Sequence, residues 1–316
     1  MDSSVTLEDI FEARRKIAPW VRRTPLIPAA QLSQQVGVSV SLKLETVHDT
    51  GSFKIRGASN RLLHLSEDER ARGVVTVSTG NHGRAVAYAA QRLDVRAVVC
   101  MSTLVPENKL AAIRELGAEI RIVGESQDEA EKEADRLVRE ESMVPVHPFD
   151  HPHIIAGQGV IGLELLEDLP NIDCVLVGLS GGGLVSGIAI ALKSASPRVR
   201  VIGVSMERGP AMYHSIRAGK PILVEEQRTL ADSLGGGIGL DNRYTFTLVR
   251  EYVDDIVLVN EEQIAAAMTH LYQTERIIAE GGGAVGVAAL MHGLIANPQG
   301  NIVCVISGGN VDNDLF

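Results

Sequence analysis

Short runs rich in valine and isoleucine recur along this chain, each followed by a segment of helical length. The runs are residues 74–77, 95–101, 119–123, 173–177, 199–204 and 301–306. The helical candidates are 81–92, 107–116, 126–140, 157–166, 184–193, 261–273 and 284–295. A strand with one wet face alternates apolar and polar residues, whereas most of these runs are nearly continuously apolar. Apolar strands alternating with helices therefore predict an α/β fold, with open, twisted, mostly parallel sheets and helices on both faces. A chain of 316 residues is long enough for two such subdomains.

In a parallel sheet, ligands sit beyond the C-terminal ends of the strands. Three strand ends here run into loops of unusual composition. Residues 74–77 lead into Ser78-Thr79-Gly80-Asn81-His82-Gly83, and 173–177 into Gly178-Leu179-Ser180-Gly181-Gly182-Gly183-Leu184. Residues 301–306 lead into Ser307-Gly308-Gly309-Asn310. The stretch from Ser180 to Leu184 opens a helix, where free backbone N–H groups attract an anion. It lacks the spacing of a dinucleotide fingerprint, and no Lys-Ser or Lys-Thr follows as in a P-loop. A single phosphate on a small cofactor fits it; a flexible turn is the plain alternative. Ser78 to His82 offers donors for a carboxylate, with Asn81 either a ligand to a ring hydroxyl or a helix N-cap. His82 reads as structural. Ser307 offers a neutral hydroxyl to a heterocyclic nitrogen, or closes a plain turn. Glu280 precedes Gly281-Gly282-Gly283, which would let a backbone or a ring approach closely; a first-turn acid is the simpler reading.

Lys54 lies in Ser52-Phe53-Lys54-Ile55-Arg56-Gly57-Ala58. Phe53 and Ile55 offer an apolar wall, and small residues leave room for something flat. Such a setting favours the free amine over the ammonium ion. A surface lysine at a helix start is the ordinary alternative. The segment 219–242, with its Gly235-Gly236-Gly237-Ile238-Gly239 run, has no clear period and reads as a long ordered loop near the site.

Net charge is −10, and no basic block is present, which argues against nucleic acid as a partner. No stretch reaches the length of a membrane span, and the first ten residues carry acids and no apolar core. Cys100, Cys174 and Cys304 are widely spaced and read as buried free thiols. A cytoplasmic setting is expected. The histidines of His147-Pro148-Phe149-Asp150-His151-Pro152-His153 match no zinc spacing and read as a junction between subdomains.

Taken together, Arg23-Thr24-Pro25-Leu26, the Lys54 segment and the loops at 79–83, 180–184, 280–283 and 307–310 resemble fold-type II pyridoxal-phosphate enzymes. The branch they resemble is that of threonine/serine dehydratases and serine racemases. The resemblance implies a tryptophan synthase β-like architecture: residues 1–65 and 148–316 forming a large cofactor-binding subdomain, and 66–147 a small one. It implies that Lys54 holds pyridoxal 5'-phosphate as a Schiff base, with Phe53 against the ring and Asn81 on the ring hydroxyl. Ser180, Gly181, Gly182, Gly183 and Leu184 would take the phosphate, Ser307 would face the pyridine nitrogen, and Glu280 would border the cofactor. Ser78, Thr79, Gly80, Asn81 and His82 would grip an amino-acid carboxylate. Thr79 stands where racemases of this branch carry a second acid/base. The implied reaction is loss of water from a β-hydroxy amino acid, giving a 2-oxo acid and ammonia, in a homodimer.

Ser205 and Ala211 occupy positions where metal-dependent members carry acids, leaving only the off-register Glu207, so no metal is expected. Residues 207–212 and 230–244 look like the hydroxyectoine-utilisation dehydratase group. Gly237 there would leave space for a β-substituent bulkier than methyl. A β-replacement synthase and a racemase are the alternatives on the same fold.

Overall fold

The computed structural model describes residues 5–78, 80–103, 107–125 and 127–311. Among the described residues, ten strands form two sheets. They are β1 (Leu26–Pro28), β2 (Ser39–Leu44), β3 (Val74–Val77), β4 (Ala97–Met101), β5 (Glu119–Ile122), β6 (Val144–Pro145), β7 (Cys174–Gly178), β8 (Arg200–Met206), β9 (Asp255–Val259) and β10 (Asn301–Ile306). The larger sheet has the order β1-β2-β10-β7-β8-β9, and the smaller β5-β4-β3-β6. Only the β1–β2 pair is antiparallel.

The continuous apolar character of the strands has the cause the sequence suggested. In β10, Ile302, Cys304 and Ile306 pack into one apolar cluster, and Val303 and Val305 into another on the opposite face. Side chains alternate across a strand, so a strand covered on both faces must be apolar at every position. Strands β3 and β10 have the predicted bounds. Strands β7 and β8 begin one residue later than expected. The Asp173 carboxylate takes the Asn301 amide at 2.7 Å, and that of Asp254 takes the Val201 amide at 2.7 Å, closing the sheet's lower edge with side chains.

Several elements lie outside the continuous apolar runs or differ from their expected bounds. The helix Leu7–Ile17 is set by a capping box between Thr6 and Asp9 and buries only Ile10, Ala13 and Ile17. Strand β2 carries Lys43, fully buried, in a place where a lysine argues against a core strand. The helix expected at 261–273 is α-helical over Glu261–His270 and ends in a π-helical turn, Leu271–Glu275, stopped by Arg276 at φ +61°. The helix expected at 284–295 starts earlier and covers Gly281–Met291, so the glycine triplet is its first turn rather than a preceding loop.

All three cysteines are free and buried. No helix among the described residues is long and apolar enough to cross a membrane. The 147–153 segment links β6 to the helix Pro152–Asp168. There His147 Nδ1 accepts the amides of Phe149 and Asp150 at 3.2 and 2.8 Å, and His151 Nδ1 accepts the His153 amide at 3.1 Å. These ring nitrogens shape the turn and cap the helix.

Candidate active site

The C-terminal ends of β3, β7 and β10 open onto one cavity of ≈ 810 Å³. Lys54, Asn81, Ser180, Gly182, Glu280 and Ser307 all line it. The three loops therefore converge, although β3 belongs to the smaller sheet and β7 and β10 to the larger.

Lys54 is the first residue of the helix Lys54–Leu63. It stands at a helix start, as its plain reading had it, but its side chain is half-buried and turned into the cavity. The amine donates to the Pro148 carbonyl at 2.8 Å and lies 5.3 Å from the centre of the Phe53 ring. Burial brings its pKa down from 10.5 to about 8, against the pull of the Glu280 charge. A lysine so placed is a nucleophile near neutral pH.

The helix beneath Lys54 is anchored by ions that sequence reasoning missed. Arg56, 1% exposed, donates to Glu45 (2.7 and 3.0 Å), to Glu164 (2.7 and 2.9 Å) and to Thr24 Oγ1 (3.1 Å). Lys43 reaches Glu164 at 2.7 Å, and His48 lies 3.0 Å from Glu45. Burial would raise the Glu45 pKa, but Arg56 and His48 overcome it and hold the carboxylate well below its usual range. Two cations and two carboxylates, each satisfied by hydrogen bonds, fix the turn that carries Lys54. Arg56 was visible in the lysine segment. Its partners come from positions 24, 45 and 164, which no local pattern connects.

Opposite the lysine, the helix Gly183–Ala195 begins with no side-chain cap. Its N-cap, Gly182, has φ +90°, a conformation that favours glycine. The first-turn amides of an uncapped helix are free for an anion, and the helix dipole favours one. A Cβ on Gly181 would stand 2.3 Å from Phe149 Cδ1, so the loop also presses onto a neighbouring ring. The Ser307 hydroxyl, buried, has only a long 3.5 Å bond to the Gly282 carbonyl.

Asn81 is not the N-cap of its helix, which is Gly80. Its side chain instead donates to Glu280 Oε1 at 2.7 Å. Glu280 is the N-cap of Gly281–Met291 but makes no side-chain cap bond; its carboxylate turns into the cavity. Burial raises its pKa from 4.5 to about 7, although hydrogen bonds from Ser233, Asn81 and the Asn310 amide pull the other way. The glycines after it are required by close approach: a Cβ on Gly281 would lie 2.0 Å from the Leu230 carbonyl oxygen, and one on Gly283 2.5 Å from that of Gly308.

His82 is buried with Nε2 3.0 Å from the Val146 carbonyl oxygen, which fits a structural ring; burial takes its pKa down to about 3. Ser78 and Gly80 line the cavity. Thr79 lies outside the described residues. The 219–242 loop borders the cavity through Leu223, Asp232 and Gly237 among others. Gly237 faces open space, with nothing but the Gly239 amide 4.0 Å from where a Cβ would be. Ser205 is buried at the end of β8 and Glu207 is exposed beyond it. Among the described residues, no three histidines, cysteines or carboxylates come together as ligands for a metal.

A lysine amine, an uncapped helix start and a weakly bonded hydroxyl thus border one cavity. Residues 17–308 match the family of pyridoxal-phosphate dependent enzymes, and the chain belongs to it. A Sinorhizobium fredii protein provisionally named a threonine dehydratase is 55% identical over 313 residues, covering 99% of this chain and 94% of its own. The L-threonine ammonia-lyase of Thermotoga maritima is 47% identical over 312 residues, covering 99% and 77%. The structure of maize serine racemase superposes with a TM-score of 0.94 at 34% identity, covering 99% of this chain and 95% of that one.

Proposed function

We propose that this pyridoxal-phosphate enzyme is an ammonia-lyase that removes water from a β-hydroxy amino acid of the threonine class. The products are a 2-oxo acid and ammonia. The observation that carries the reading is Lys54: a half-buried amine with a depressed pKa, facing an uncapped helix start across the cavity. Similarity over 99% of this chain to an L-threonine ammonia-lyase supports the reaction class.

Each residue has a role set by its chemistry. Lys54 would hold the cofactor. The amides of Gly181, Gly182, Gly183 and Leu184, with the Ser180 hydroxyl, would hold its phosphate. Asn81 would donate to its ring oxygen, with Phe53 beside the ring. The Ser307 hydroxyl would meet the ring nitrogen without obliging it to carry a proton. Bound pyridoxal phosphate supplies the electron sink for the charge left when a proton leaves the substrate's α-carbon. The Lys54 amine would take that proton as general base, since its pKa near 8 keeps a share of it neutral at physiological pH. Ser78 and the start of the Asn81 helix orient the substrate carboxylate. In the net reaction the α-proton and the β-hydroxyl would leave together as one water, and one water would be taken up as the product hydrolyses to the 2-oxo acid and ammonia.

The open space at Gly237 suits a β-substituent larger than methyl, such as a hydroxylated diaminobutyrate from hydroxyectoine breakdown. A cytoplasmic homodimer belongs to the same proposal. The test is a panel of threonine, serine, 3-hydroxyaspartate and hydroxylated diaminobutyrate, assayed for keto-acid and ammonia release. Failure to release ammonia from any of them refutes the reaction. The second reading, racemisation, is favoured by the likeness to maize serine racemase and predicts D-amino acid by chiral chromatography.

A further inference from the structure

Two side chains given no role in the reaction scheme, Arg84 and Asn310, border the cavity beside Asn81. Asn310 Nδ2 donates to Asn81 Oδ1 at 2.6 Å and to the Thr50 carbonyl at 2.9 Å. Arg84 Nη1 donates to Asn310 Oδ1 at 2.5 Å. The Asn310 backbone amide donates to Glu280 Oε2 at 3.1 Å, beside the Asn81 bond to Oε1. Both N–H groups of the Asn310 side chain are thus spent, and its oxygen faces a guanidinium. The seat is shaped for it: Gly51 has φ +71°, and a Cβ there would lie 2.4 Å from Asn310 Oδ1.

We infer that Arg84 and Asn310 are positioning residues that aim Asn81 at the cofactor. This rests on the pyridoxal-phosphate reading of the site. With its oxygen held by Asn310, Asn81 cannot flip. One of its N–H groups is held by Glu280, and one is left to donate into the cavity. Arg84 polarises the Asn310 amide, which polarises that of Asn81 in turn, so the remaining N–H is a stronger donor than a lone asparagine's. Arg84 and Asn81 share a helix that follows β3 of the smaller sheet, while Asn310 follows β10 of the larger. The chain of bonds therefore ties cofactor contact to the fit between the two sheets.

A donor on the cofactor's ring oxygen favours the yellow form, in which that oxygen is anionic. The holoenzyme spectrum and the pyridoxal phosphate dissociation constant report this directly, whatever the turnover. Asn310→Ala is expected to lower the ratio of visible to near-ultraviolet absorbance and to weaken cofactor binding by about five-fold or more. Arg84→Met shifts both in the same direction by less, and Arg84→Lys restores part of the loss. In an Asn81→Ala background, Asn310→Ala changes neither quantity further, which a merely structural role would not produce. A coloured protein whose spectrum and affinity ignore Asn310→Ala and Arg84→Met, or respond equally without Asn81, overturns this proposal alone. Wild-type protein that takes up no pyridoxal phosphate overturns the cofactor reading with it.

Discussion

The amine of Lys54 gives the sharpest prediction, because the structure sets both its environment and the size of the effect. An amine with a pKa of 10.5 is about 0.03% neutral at pH 7, whereas one near 8 is roughly a tenth neutral, a gain of ~300-fold in nucleophile. Capture of pyridoxal phosphate by cofactor-stripped protein should therefore be fast at neutral pH. Its rate should climb with pH and level off just above 8. Burial causes the depression, and the Glu280 charge opposes it. Glu280→Gln removes the opposing charge, so the midpoint of the rate profile moves below that of the wild type. The assay is stopped-flow absorbance in the visible, with borohydride trapping and peptide mapping to place the adduct. Lys54→Ala should give no trapped adduct. A wild-type midpoint near that of free lysine, or a midpoint that rises in Glu280→Gln, would refute the electrostatic reasoning.

Three further outcomes follow from other parts of the structure. Glu280 has a folded pKa of about 7 against 4.5; the folded state binds the extra proton between those values, so this group's contribution falls as pH rises from 4.5 to 7. Apoprotein carrying Glu280→Gln should melt higher than wild type at pH 8 and lose that advantage near pH 4.5; a pH-independent difference would count against it. Arg56→Met leaves Glu45 and Glu164 buried with one cation removed, and should cost ~3–5 kcal/mol in urea unfolding; a loss under ~1 kcal/mol would show the ion network does not hold the lysine helix. Gly237→Asn fills space without a clash, so the melting temperature should hold while kcat/KM falls more for the bulkier substrates of the panel than for serine; equal losses across the panel would place Gly237 outside the substrate pocket.

Family membership and the sheet-edge placement of the site were both legible from a single sequence. Strands buried on both faces are apolar at every position, which made β3, β4, β7, β8 and β10 readable. An uncapped helix start with a left-handed N-cap depends on local glycines, so the opening at residues 180–184 stood out in the sequence. Reading by continuous apolar runs passed over other elements. The helix Leu7–Ile17 is amphipathic, and strand β2 alternates polar residues with Val40, Leu42 and Leu44, so neither presents such a run.

The sequence by itself determined the chemistry available: a lysine beside an aromatic, a glycine-rich helix start and a terminal hydroxyl, each coded within a few residues. The tertiary structure decided what those groups can do. The Lys54 pKa depends on desolvation by distant chain, the Asn81 orientation on Glu280 and Asn310, and the Arg56 anchor on carboxylates at 45 and 164. Periodicity reports which face of an element is buried. It carries no information on which polar side chains meet across that burial, because such pairs are joined only when the sheets close on each other.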